Sequence, residues 1–201
     1  DVDLCFSCIN RLLVRHDLKP LDTLSQYREV FTFPIEDYYK RVGFDFDKIP
    51  FSMLAHEYMA DYQEKSYACD LHSDVLDVVN KAKNLGFSQT VLSASKMDYL
   101  LKQMETLHVD DLFDSIYGIN DIYAKSKVEL AHAFKQTCSL DDEIYFVGDS
   151  VHDYEVAKNI GAKCILVTTG HQNRATLESV NVPVMDSLME SLDLIYERDK
   201  D

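Results

Sequence analysis

Residues 4 to 16 carry apolar side chains at helical spacing, Leu4, Cys8, Leu12 and Val14 among them, and the pattern stops at Asp17 and Pro20. Three more helices are expected before residue 73. D-T-L-S-Q-Y-R-E-V-F opens on an Asp/Thr cap signal, I-E-D-Y-Y-K-R follows Pro34, and F-S-M-L-A-H-E-Y-M-A-D-Y follows Pro50. These segments are rich in aromatic residues and none reads as a buried strand, so a compact helical module accounts for them. After His72 the pattern changes. D-V-L-D-V-V-N-K-A-K-N-L is an amphipathic helix closed by Gly86, and S-Q-T-V-L-S is a short β-rich run. Helical M-D-Y-L-L-K-Q-M-E-T-L, the short strand D-S-I-Y-G and helical V-E-L-A-H-A-F-K-Q-T follow. Then come the strand E-I-Y-F-V, the helix H-D-Y-E-V-A-K-N-I stopped by Gly161, and the strand C-I-L-V-T. Short apolar strands alternating with helices predict an α/β fold, a parallel sheet with helices on both faces. No internal repeat, low-complexity tract or Gly/Ser linker interrupts it.

Sheets of this kind bind ligands at the carboxyl ends of their strands. Those ends read V-L-S-A-S (91–95), I-Y-G-I-N with the loop to K-S-K (116–127), F-V-G-D-S-V-H-D (146–153) and L-V-T-T-G-H (166–171). A serine, a lysine and an acidic cluster therefore sit at three consecutive strand ends.

Composition narrows the chemistry. The 201 residues are 46% hydrophobic and 27% charged, enough to bury a sizeable core, and the net charge is -15. Such a surface repels phosphate backbones and anionic lipid, so neither nucleic acid nor a membrane is an expected partner. No run of eighteen apolar residues suggests a membrane span, and D-V-D-L-C-F-S-C-I-N does not resemble a signal peptide; a cytoplasmic protein is expected. Cys5 and Cys8 form a C-x-x-C, but no second Cys/His pair completes a zinc site. As an i, i+3 pair on a helix they read as small packing residues with reduced thiols.

The densest chemistry is in G-D-S-V-H-D. Asp149 follows a hydrophobic run and Asp153 lies four residues on, in the first turn of a helix, so both carboxylates can face one cavity. Hard oxygen donors there suit Mg²⁺, which keeps several waters and bridges to a phosphate. The alternative is a capping aspartate followed by a solvated one.

With V-L-S-A-S, A-K-S-K-V-E-L and V-G-D-S-V-H-D-Y-E-V-A-K-N-I-G-A in this order, the chain resembles the haloacid dehalogenase superfamily, especially its phosphoglycolate-phosphatase-like members. The resemblance implies a Rossmann-like parallel sheet core (residues 1–14 and 73–201) with an inserted helical cap (15–72). It implies a Mg²⁺-dependent phosphatase acting on a small phosphorylated metabolite, a phosphomonoester of which 2-phosphoglycolate is one candidate, in a monomer or homodimer. Asp149 and Asp153 are the implied metal residues. Ser93, helped by the N–H groups of Ala94 and Ser95, would bind the transferring phosphoryl group, and Lys127 would neutralise its charge. Lys125 competes with Lys127 for that role. Lys40 and Arg41 in the cap read as basic residues of a surface helix, with a contact to a substrate anion as the alternative.

The family's nucleophile comes from an Asp-x-Asp after a hydrophobic strand; its first Asp forms an aspartyl-phosphate and its second acts as acid and base. D-V-D at residues 1–3 imitates that motif, but no hydrophobic strand precedes it and L-C-F-S replaces the small turn that follows it. The segment instead resembles the helix just downstream of the motif, so the nucleophile is expected upstream of Asp1. A non-catalytic member that binds a phosphorylated ligand or partner is the competing reading. A receiver domain is disfavoured by the helical insertion and the order of the motifs.

Overall fold

The computed structural model describes residues 1–123 and 127–198. Four helices come first: α1 (Val2–Arg15), α2 (Leu24–Val30), α3 (Ile35–Arg41) and α4 (Phe51–Ser66). Thr23 caps α2 as its sequence announces, its hydroxyl accepting from the Gln26 N–H at 3.2 Å. The apolar stripe of α1, with Cys5, Ile9, Leu12 and Leu13, is buried against Tyr27, Tyr38, Tyr39 and Leu54 of the other three helices. This core is largely aromatic, and its rings meet edge-on or tilted: Tyr27–Tyr38 at 5.9 Å and Phe31–Tyr38 at 5.1 Å between centroids.

Cys5 and Cys8 are free thiols buried inside this helical layer. Burial pushes the Cys5 thiol up to about 11 and, in the sheet, the Cys164 thiol up to about 12. Iodoacetamide at pH 8 is therefore expected to label only the half-exposed Cys69 and Cys138 in the native protein, with all five reacting after denaturation. Rapid native labelling of Cys5 or Cys8, read by mass spectrometry, would contradict this packing.

The alternating part runs α5 (Val75–Asn84), β1 (Thr90–Lys96), α6 (Met97–Thr106), a 3₁₀ turn (Asp110–Leu112), β2 (Ser115–Ile119), α7 (Val128–Lys135), β3 (Tyr145–Gly148), α8 (Val151–Asn159), β4 (Lys163–Val167), α9 (Arg174–Glu178), β5 (Val184–Met185) and α10 (Leu188–Arg198). Every strand pairing is parallel. Successive residues of β1 point to opposite faces: Val91 packs with Leu100 and Met104 of α6, and Leu92 with Ala131 and Val156 of α7 and α8. The α/β class and the two-sided helical cover are thus as the pattern predicts. No helix among the described residues is long and apolar enough to cross a membrane.

Among the described residues the strands form two ladders, β1–β2 and β3–β4–β5, not hydrogen-bonded to each other. Leu92 of β1 and Phe146 of β3 pack in the same cluster beneath α7 and α8, so the two ladders share one helical layer. Exposure follows the pairing. Strand β4, paired on both sides, buries Cys164 to Val167, whereas all of β1 is half-buried and Val147 of β3 is 37% exposed. A parallel strand paired on one side covers its apolar residues less completely.

Candidate active site

The carboxyl ends of β1 and β3 open into one cavity of 360 Å³, roofed by α2, α3 and α4. Ser93, Ala94, Ser95, Lys127, Asp149 and Asp153, the residues singled out by the sequence, all line it. Lys125 lies outside the described residues.

At the end of β1 the ladder to β2 breaks: Leu92 pairs with Tyr117, and the register resumes only at Lys96 with Ile119. The break frees Ser93 to Ser95 from regular pairing and turns them to the cavity. The Ser95 N–H donates to Ser93 Oγ at 3.1 Å, a local turn that gathers a hydroxyl and backbone donors.

Asp153 is the most constrained polar group of the site. It is the N3 residue of α8 and forms a capping box with Ser150. Its Oδ2 accepts from the Asp149 N–H at 3.0 Å, the Ser150 N–H at 3.0 Å and the Ser150 hydroxyl at 2.7 Å. Its Oδ1 lies 2.5 Å from Lys127 Nζ. Only 1% of Asp153 is exposed, so it is a buried ion-paired carboxylate and not a solvated acid. Burial pushes this carboxyl up, but the Lys127 charge and the hydrogen bonds from Lys127, Ser150 and the Asp149 backbone together hold it below the usual carboxylate value. Lys127 is the N-cap residue of α7, the positive end of a helix dipole and a disfavoured place for a cation. The Asp153 carboxylate offsets that placement.

Asp149 is held differently. Its Oδ2 accepts a 2.7 Å bond from the His171 N–H, in the loop after β4. Gly170 makes this approach possible, because a Cβ there would coincide with the Asp149 carboxylate; a Cβ at Gly148 would likewise run into Asp153. The paired carboxylates are hard oxygen donors of the type Mg²⁺ takes. Asp149 is the less committed of the two, since both oxygens of Asp153 are already engaged. Asp1, Cys5 and His171 also bring ligand atoms within 4.8 Å of one another. They are committed elsewhere: Tyr62 donates to Asp1, Tyr27 bonds His171 Nδ1 at 2.7 Å, and the Cys5 thiol is shifted away from the thiolate a metal needs.

Sequence reasoning missed the residues that fasten the helical layer to the strand ends. Gln172, buried beside the site, accepts from the Val151 N–H at 2.7 Å and donates to the Phe31 carbonyl at 3.0 Å. Arg28 Nε donates to the Gly170 carbonyl at 3.0 Å, and Phe31 stacks on His171 at 4.7 Å. His171 ends the strand-end string L-V-T-T-G-H, so its position was readable; its partners, more than a hundred residues away, were not. Asp1 of the D-V-D lines the cavity and Asp3 does not, so the motif does not present two carboxylates together. Lys40 pairs with Asp37 at 3.0 Å and Arg41 donates to the Val30 carbonyl at 3.5 Å; both are exposed and neither lines the cavity.

A family model described as haloacid dehalogenase-like hydrolase matches residues 1–167. Among solved structures, a haloacid dehalogenase-like family hydrolase from Streptococcus pneumoniae superposes with a TM-score of 0.81 at 18% identity, covering 97% of this chain and 92% of that one. A protein described as a predicted phosphatase from Clostridium acetobutylicum gives 0.80 at 19% identity, covering 98% and 92%. One described as a predicted phosphoglycolate phosphatase from Haemophilus somnus gives 0.71 at 14% identity, covering 96% and 91%. No curated protein matches the chain in sequence.

Proposed function

The chain belongs to the haloacid dehalogenase-like hydrolase family, and from that premise we propose that it is a Mg²⁺-dependent phosphatase of small phosphomonoesters working through an aspartyl-phosphate. The observation that carries the reading is the convergence of Ser93, Lys127 and Asp149 on one cavity, with Asp153 locking the last two in place.

In this mechanism the Ser93 hydroxyl and the N–H groups around Ala94 and Ser95 hold the transferring phosphoryl oxygens. The Lys127 ammonium, 14% exposed and anchored to Asp153, sits in a low-dielectric site where it offsets developing negative charge without having to reorganise. Asp149 is the proposed Mg²⁺ ligand, and Asp153 supports it by fixing the loop. Bound there, the cation would supply charge neutralisation of the phosphate. Residues 15–72 act as a cap that excludes water from the cavity, fastened through Tyr27, Arg28 and Gln172. The attacking carboxylate is proposed on a strand lying between the free edges of β1 and β3, a placement supported by their half-exposed faces.

The test is phosphate release by the full-length protein from a panel of phosphomonoesters, with and without Mg²⁺ and with a chelator. Turnover is expected only with the metal. Lys127→Ala is expected to lower it about 10²–10³-fold, with Lys125→Ala having little effect. Metal-independent turnover, or an unchanged rate in Lys127→Ala, would refute the assigned roles.

A further inference from the structure

The two sides of the cavity are chemically unlike, and the difference bears on the alcohol half of the substrate. The charged side chains that line it, Lys96, Lys127, Asp149 and Asp153, come from the strand ends, with Asp1 at the start of α1. The opposite wall, from α2, α3 and α4 and the loop after α2, is built of rings, notably Tyr27, Phe31, Tyr38, Phe51, Tyr58 and Tyr62, and supplies no lysine or arginine. The basic residues of that layer are spent elsewhere. Lys40 and Lys48 pair with Asp37 and Asp45, Arg41 turns to the Val30 carbonyl, and Arg28 is held by the Gly170 carbonyl.

A second anionic group on the substrate, such as the carboxylate of 2-phosphoglycolate, would be desolvated against those rings with no lysine or arginine in that wall to meet it. Resting on the phosphatase reading above, we infer that the substrate is the monophosphate ester of an uncharged aromatic alcohol whose ring enters the tyrosine-lined wall.

Non-hydrolysable probes read ring recognition separately from turnover. The full-length protein with Mg²⁺ is titrated calorimetrically with benzylphosphonate, 4-hydroxybenzylphosphonate and phosphonoacetate. Both aryl phosphonates are expected to bind at least about tenfold tighter than phosphonoacetate. Phosphonoacetate binding as tightly as the aryl probes, or no binding of any probe, overturns the inference. Acetyl phosphate, too small to need the ring wall, reads phosphoryl transfer alone. If it is hydrolysed while phosphonoacetate is preferred, the aromatic inference falls and the phosphatase reading stands. If it and the aryl phosphates are not hydrolysed although aryl phosphonates are preferred, the phosphatase reading falls and the ring pocket stands.

Discussion

Asp153→Ala is expected to destabilise the protein by about 3–5 kcal/mol, the scale of breaking a buried ion pair from one side. Truncation strands three donors, the N–H groups of Asp149 and Ser150 and the Ser150 hydroxyl, together with the Lys127 ammonium at the unfavourable end of α7. Activity should fall with it, because Asp149 and Lys127 lose their common anchor. Urea unfolding by circular dichroism reads the first effect, as a lower midpoint at unchanged slope. Adding Lys127→Met to Asp153→Ala should recover part of the lost stability, since no unpaired ammonium is left buried. A single variant within about 1 kcal/mol of wild type, or a double variant worse than the sum of the singles, would contradict the pairing. The pH dependence has a definite sign. The Asp153 carboxyl is held below its ordinary value, so its stabilising contribution is complete above the unfolded pKa of about 3.9. It is lost as pH falls through the lower folded value, and Asp153→Ala should lack that acid-side loss.

Why the sequence points to these positions at all is a matter of periodicity. Helices α1 to α8 and strands β1 to β4 stand out because apolar spacing switches between helical and strand-like, with Thr23, Gly86 and Gly161 marking element ends. In a parallel sheet the carboxyl ends of strands share one side, which is enough to bring Ser93, Lys127 and Asp149 together without knowing a single contact. What lies after His171 is less evenly legible. Strand β5 is two residues long and has no period to read, whereas Leu188, Leu192 and Ile195 in α10 do repeat at helical spacing. The extension of β1 past Ser93 to Lys96 comes from its pairing with Ile119 across a broken register, and a Ser-Ala-Ser run carries no strand signal of its own.

The rest of the site depends on contacts that no local pattern announces. Tyr27, Phe31 and Arg28 look like ordinary members of an aromatic, helical segment, yet they meet His171, Gln172 and Gly170 across some 140 residues of chain. The same holds for Asp153: the sequence offers a metal ligand or a solvated acid, and the structure makes it a capping-box member that also carries a buried ion pair. That pairing turns two separately placed strand ends into one rigid unit. Rigidity of this kind is what charge stabilisation in a transition state requires.

Gly170→Ala should therefore be among the most damaging single-methyl changes available to the protein. Gly170 is buried, and the space a Cβ would take is already filled by the Cβ, Cγ and Oδ2 of Asp149. Either Asp149 swings away, losing the 2.7 Å bond from the His171 N–H, or the loop after β4 retreats. Retreat would also pull on the Arg28 bond to the Gly170 carbonyl and on Gln172, which ties Val151 to Phe31, so the cap would loosen with the site. A displacement of about 1 Å in a positioning group costs on the order of 10²-fold in rate, and overpacking adds about 1–3 kcal/mol of destabilisation. The expected result is turnover at least about 100-fold below wild type, with a protein that still unfolds cooperatively at a reduced melting temperature. Mg²⁺ titration of the residual activity should require a higher metal concentration, because the carboxylate proposed to hold the cation is the group displaced. Turnover and metal requirement within twofold of wild type would mean that Asp149 does not need the position the structure gives it, and its proposed role as the metal ligand would fall with that result.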